Sequence, residues 1–194
     1  MNVVIIKYNA GNIQSVDFAL QRLGIQAQIS NDFAAIRSAD KVIFPGVGEA
    51  SSTMKYLREK GLDKLIPDLK QPVLGICLGM QLMCKSSEEG NTQTLGIFDT
   101  KVKEFQPQPG IKIPHMGWND VTANKSNLFN VLDKQYVYFV HSFYAPLCNE
   151  TTLTCEYGEK FTAAMQKDNF YGVQFHPEKS GEVGSKFLNQ FLQL

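Results

Sequence analysis

Short apolar runs alternate with stretches of helical spacing through the first half of the chain, and this alternation constrains the fold more than any other feature. Val3-Val4-Ile5-Ile6, Lys41-Val42-Ile43-Phe44 and Pro72-Val73-Leu74-Gly75-Ile76 are apolar at consecutive positions, with Ala27-Gln28-Ile29 a weaker example. Continuous rather than alternating apolarity is the mark of strands covered on both faces. Between them, Ile13, Val16, Ala19, Leu20 and Leu23 recur at helical spacing, with Asn12 placed to cap and Gly24 to stop the helix. A weak helix is expected from Asp32. Another carries Met54 and Leu57, breaks at Gly61 and resumes to about Leu69; a last one starts over Leu78 to Cys84. Strand–helix repetition of this kind implies right-handed crossovers and a parallel sheet.

From about Thr100 the pattern becomes strands and turns: Lys101–Phe105, Lys112–Pro114, Val137–His141, Thr151–Tyr157, Thr162–Gln166 and Tyr171–Phe175. A closing helix places Val183, Phe187, Leu188, Phe191 and Leu192 on one stripe. The expected fold is α/β: a mostly parallel central sheet with helices on both faces, plus a smaller antiparallel strand region. No repeat or long linker divides it, so residues 1–194 are expected to form a single domain.

Nineteen Lys+Arg balance nineteen Asp+Glu, which argues against a duplex-binding protein. No apolar run approaches a membrane span, and the first residues are a poor signal peptide, so a cytoplasmic protein is expected. Cys77, Cys84, Cys148 and Cys155 form no C-x-x-C pair, and His115, His141 and His176 are scattered. Neither a disulfide framework nor a zinc site is indicated.

One cysteine stands apart. Gly75-Ile76-Cys77-Leu78-Gly79 lies between a buried strand and a helix start, the nucleophile-elbow pattern in its proper context. The turn would thrust Cys77 out of the sheet, at a helix N-terminus that favours a thiolate. After another apolar strand comes His176-Pro177-Glu178. Positions i and i+2 of extended chain face the same side, and Pro177 biases His176 toward extended geometry, so Glu178 can orient the imidazole toward a thiol. Pro45-Gly46-Val47-Gly48 ends a third strand. A backbone N–H there, with that of Leu78, could receive a developing oxyanion. The competing reading of Gly46-Val47-Gly48-Glu49-Ala50-Ser51 as a dinucleotide fingerprint lacks the third glycine and follows the wrong strand.

Pro45-Gly46-Val47-Gly48, Gly75-Ile76-Cys77-Leu78-Gly79-Met80-Gln81 and Gly172-Val173-Gln174-Phe175-His176-Pro177-Glu178 together resemble the triad (class I) glutamine amidotransferases across nearly the whole chain. Pro114-His115-Met116-Gly117-Trp118-Asn119 and Phe139-Val140-His141-Ser142-Phe143 narrow the resemblance to the histidine-biosynthesis branch, rather than the anthranilate, GMP, CTP or pyridoxal phosphate relatives. The resemblance implies a glutaminase with Cys77, His176 and Glu178 as triad and Gly46, Val47 and Leu78 around the oxyanion. It implies Gln81, Glu89 and the main chain at His141, Ser142 and Phe143 around glutamine. It needs no cofactor and no metal. Its partner would be a (β/α)₈-barrel cyclase, met through Trp118, Tyr138 and Lys179, with ammonia crossing a sealed interface. Taken alone, His141 reads as a core histidine. Lys7-Tyr8-Asn9-Ala10-Gly11-Asn12 departs from the D-Y-G-x-G-N form of many relatives. That segment is expected to lie away from the triad and to bear on the partner contact.

Overall fold

A computed structural model describes residues 1–8, 12–124 and 128–194. The first half runs β1 (Val3–Ile6), α1 (Ile13–Arg22), β2 (Gln28–Ser30), α2 (Phe33–Arg37), β3 (Lys41–Phe44), α3 (Ala50–Glu59), α4 (Leu62–Asp68), β4 (Val73–Ile76) and α5 (Leu78–Met83). Then come β5 (Cys84–Ser87), β6 (Thr92–Gln93), β7 (Phe98–Glu104), β8 (His115–Ala123), β9 (Gln135–His141) and β10 (Phe143–Tyr144). β11 (Thr151–Tyr157), β12 (Glu159–Lys167), β13 (Phe170–Val173) and α6 (Gly181–Leu192) complete the order.

Nine strands form one sheet in the order β2-β1-β3-β4-β13-β12-β11-β8-β9, beside a four-stranded sheet β10-β7-β5-β6. The large sheet is mixed, not mostly parallel as expected. From β2 to β13 neighbours are parallel; from β13 to β9 they are antiparallel. The cause is the connections. Gly158 (φ 70°) alone turns β11 into β12, and Asp168 (φ 51°) with Asn169 turns β12 into β13. Connections this short can only join antiparallel neighbours. Most of the later strands therefore extend the main sheet, while β5, β6, β7 and β10 form the smaller sheet beside it.

Two local expectations also change. Lys112–Pro114 is not a strand, because Pro114 has no N–H to give a ladder. Pairing begins at the next residue, and β8 runs from His115 along the whole of β9. The polar residues Asn119 and Asp120 hide this strand from a search for apolar runs. Asn12 does precede α1, but its side chain makes no cap hydrogen bond.

The runs of β1, β3 and β4 are buried on both faces, as their pattern requires, whereas β2 is an exposed edge strand. Val3, Ile5, Ile43, Leu74 and Ile76 pack with Val16 and Leu20 of α1 and with Phe187, Leu188 and Phe191 of α6. Their neighbours Val4, Ile6, Val42, Phe44 and Val73 point the other way, onto Met54, Leu57, Leu62, Leu65 and Ile66 of α3 and α4. Among the described residues no helix is long and apolar enough to cross a membrane.

β13 is what positions the site. It pairs parallel to β4 with Val173 opposite Ile76, so the two strands end side by side. Cys77 N–H donates to the Val173 carbonyl at 2.8 Å across that junction. At the crowded turn beyond, a Cβ on Gly79 would stand 1.9 Å from the Phe44 carbonyl oxygen. Backbone cannot yield there as a flexible side chain would. Gly79→Ala is expected to cost about 2–4 kcal/mol. That is a fall in melting temperature of roughly 5–15 °C for a chain of this size, measurable by thermal unfolding.

Candidate active site

Cys77 sits at φ 52°, ψ −111°, between the end of β4 and the first residue of α5. A side chain rarely adopts positive φ, and here the surrounding strand and helix hold it. The result is a thiol at the floor of a cleft of about 340 Å³ lined by Val47, Gly48, Leu78, Gln81, Glu89 and the strand end Val140–Phe143.

Directly after β13 the chain delivers His176 and Glu178. Both side chains are inaccessible to solvent, and His176 Nδ1 lies 2.8 Å from Glu178 Oε1. With a carboxylate there, Nδ1 carries the proton. The opposite nitrogen, Nε2, is buried without a hydrogen-bond partner among the described residues, as is Glu178 Oε2. Burial works against a charged imidazole, but the electrostatic influence of nearby Cys77, with the hydrogen bond and charge of Glu178, outweighs it and raises the His176 pKa well above its ordinary value. At neutral pH the group is therefore an imidazolium, held by Glu178 at one nitrogen and next to Cys77.

The N-terminal segment does not lie away from this pair. Asn12 Nδ2 donates to Glu178 Oε1 and is 3.4 Å from His176 Nδ1. The Tyr8 hydroxyl donates to the Pro45 carbonyl, at the head of the Pro45–Gly48 loop. Burial, then the negative charge of Cys77, pushes the Tyr8 pKa upward, so the phenol stays a donor. Asn9, Ala10 and Gly11 lie outside the described residues. The sequence carried one signal for Asn12, its cap position, and the side chain is used elsewhere.

The loop itself is arranged differently from the expected oxyanion pocket. Leu78 N–H donates to the Gly46 carbonyl at 3.3 Å, so in this conformation that donor is occupied. Gly46 is packed so tightly that a Cβ would meet Gly79 N at 2.6 Å and the Tyr8 hydroxyl at 2.7 Å. Beyond Gly48, Glu89 Oε2 accepts from Ala50 N–H at 2.7 Å and holds the start of α3. Burial raises the Glu89 pKa, opposed by that N–H and helped by the charges of Glu49 and Glu104.

On the opposite wall, His141 is buried and its Nδ1 meets the Phe143 carbonyl at 2.7 Å. His115 Nδ1 meets His141 Nε2 at 3.0 Å, with its ring stacked on Tyr157 and Phe139. Gln81 Nε2 donates to the same Phe143 carbonyl. His141 thus faces the core through its side chain, while its main chain borders the cleft. Burial pushes His115 down to about 4. It pushes His141 to about 3, against the Phe143 hydrogen bond and aided by the charges of His115 and His176.

Trp118, Tyr138 and Lys179 form a group apart from the cleft. Trp118 is 55% exposed and meets the Tyr138 ring edge-on at 6.0 Å, and Lys179 Nζ stands 5.9 Å over that ring. Met116 and Tyr136 are exposed beside them on β8 and β9. The Tyr138 main chain reaches the pair described above. His176 N–H donates to its carbonyl at 2.9 Å, and its own N–H donates to Ser180 Oγ at 3.0 Å.

Comparisons with known proteins bear on the family and the fold. The family model "Glutamine amidotransferase class-I" matches residues 4–194. A Bacteroides fragilis (strain YCH46) protein named imidazole glycerol phosphate synthase subunit HisH is 57% identical over 196 residues, covering all of both chains. The Yersinia pestis protein of that name is 49% identical over 197 residues, again covering both. A solved glutamine amidotransferase aligns over 99% of this chain and 98% of its own, with TM-score 0.76 and 19% identity. The structure of PurLQS from Thermotoga maritima aligns over 99% and 97%, with TM-score 0.73 and 16% identity. At such identities the two structures speak for the fold alone.

The His115–His141 pair gives a pH prediction. Both are neutral in the fold and take a proton in the unfolded chain below their ordinary value of 6.5. Their contribution is complete above that value and is lost as pH falls toward about 4 and 3. His115→Phe keeps the stack and removes one titration. Urea unfolding near neutral and at about pH 4.5 should show a smaller acid loss for the variant than for the parent. Equal acid losses would mean that the pair is not held neutral.

Proposed function

This chain belongs to the class-I glutamine amidotransferase family, and on that premise we propose that it is the glutaminase subunit of an imidazole glycerol phosphate synthase in histidine biosynthesis. One observation carries the chemistry: a strained elbow cysteine opens into a cleft beside a buried His–Glu pair whose outer nitrogen has no hydrogen-bond partner among the described residues. The full-length likeness to proteins named HisH supports the choice of branch.

In this reading Cys77 thiolate attacks the side-chain amide carbon of glutamine, and the carbonyl oxygen becomes an oxyanion. Imidazolium His176 gives its Nε2 proton to the departing nitrogen, and ammonia leaves as the C–N bond breaks. Neutral His176 then takes a proton from water, whose oxygen attacks the thioester. Glutamate leaves and the thiolate–imidazolium pair is restored. Glu178 holds the imidazole by Nδ1 throughout. Gln81, Glu89 and the main chain at 141–143 border the cleft where glutamine would lie.

The oxyanion step requires a rearrangement. Leu78 N–H becomes available only when the Gly46 carbonyl turns away, and the same turn of the Gly46–Val47 peptide would bring the Val47 N–H inward. A conformation that withholds the donor suits an enzyme that should release ammonia only when an acceptor is ready.

The partner in this reading is a (β/α)₈-barrel cyclase that uses the ammonia to make imidazole glycerol phosphate and AICAR. Exposed Met116, Trp118 and Tyr136 make an apolar face suited to burial, next to Tyr138 and Lys179. Tyr138 is bonded through its main chain to His176 and Ser180, so docking on β9 acts one hydrogen bond from the base.

Glutamate release should be low for the purified chain alone and rise strongly with the cyclase and its nucleotide substrate. Strong activity alone would favour an independent hydrolase instead. Cys77→Ala should lower release by on the order of 10⁴-fold or more while thermal stability is kept. Lys179→Ala should weaken coupling to the cyclase by a few-fold to about tenfold, read by titrating partner against glutamate release.

A further inference from the structure

Gln174 is fully buried between β13 and His176 and has no place in the steps above. Its Oε1 accepts from Gln81 Nε2 at 2.8 Å, and its Nε2 donates to Cys77 Sγ at 3.7 Å. The direction of this amide follows from a backbone atom. The Phe143 carbonyl can only accept, and Gln81 lies 2.7 Å from it, so the end of Gln81 facing it is the nitrogen. The second proton on that nitrogen points at Gln174, which must answer with its oxygen. Only its nitrogen is left for the sulfur. The same carbonyl sets the neighbouring histidines, since His141 must donate to it through Nδ1–H and is left to accept from His115 Nδ1–H at Nε2.

We propose that Gln174 is a positioning residue for the nucleophile, its Nε2–H fixing the Cys77 sulfur and favouring the thiolate. The proposal rests on Cys77 being the nucleophile of the proposed function. A neutral thiol would instead donate toward the Val140 carbonyl, 3.8 Å away. A donor aimed at the sulfur rewards the anion over that arrangement. A corollary concerns Gln81. Its nitrogen is spent on Phe143 and Gln174, so it can meet a molecule in the cleft only as an acceptor, through Oε1.

The test uses the full chain without glutamine. The rate of iodoacetamide alkylation at Cys77 is followed by mass spectrometry for the parent, Gln174→Met and Gln174→Glu, across neutral to alkaline pH. Gln174→Met should react about tenfold more slowly near neutral pH and converge with the parent at alkaline pH, where both thiols are ionised. Gln174→Glu, which turns an anion toward the sulfur, should be slower still near neutral pH. If Gln174→Met does not fold, Gln81→Met frees the amide to turn and should give a smaller slowing of the same pH shape. Equal rates near neutral pH would overturn the proposal. So would a slowing by the same factor at every pH, which reports access and not ionisation. Because alkylation is read without glutamine, a parent that releases no glutamate would defeat the proposed function while this contrast still gives its own answer.

Discussion

Everything in the site depends on one piece of backbone pairing, the parallel match of β4 with β13. Val173 opposite Ile76 brings two strand ends level, and the chain leaves one as Cys77 and the other as Gln174, Phe175 and His176. A slip of one residue would turn the following side chains to the other face. The register is secured by burial on both sides and by Cys77 N–H on the Val173 carbonyl. β13 can take this place because a tight turn delivers it from β12, so a single strand ends the antiparallel half and joins the parallel one.

Around that junction the protein keeps two buried polar groups in opposite charge states. His176 is lifted toward the imidazolium by its interactions with Cys77 and Glu178, whereas His115 and His141 are driven neutral by burial. The difference lies in partners. A buried charge persists only where countercharge and hydrogen bonds replace water, and the second pair has only a carbonyl and each other. Among the described residues, His176 Nε2 and Glu178 Oε2 have no hydrogen-bond partner. A buried nitrogen without a partner is costly unless something is meant to meet it.

Much of this was legible in the residues. The elbow, the His-Pro-Glu triplet and the alternating first half are local patterns whose geometry follows from strand and helix periodicity. The mixed sheet was not legible, because parallel or antiparallel pairing is decided by turns as short as Gly158, which an apolar-run search passes over. β8 was hidden by Asn119 and Asp120. Asn12 was misjudged for a related reason: a cap position explains it locally, so nothing in the sequence demanded a partner at Glu178, 166 positions away. Gln174 did carry a signal, as a lone amide in the apolar run Tyr171–Phe175, since a buried amide must find partners.

The orientation of the polar wall begins at the Phe143 carbonyl, and that atom belongs to the main chain. Every residue type supplies the same oxygen, so substitution at this position changes the side chain and leaves the sense of the Gln81–Gln174 amides untouched. The directional information is stored in the path of the backbone between β9 and β10. The wall can therefore drift in sequence at position 143 while its polarity is inherited unchanged, whereas the two amides it aligns have no such freedom.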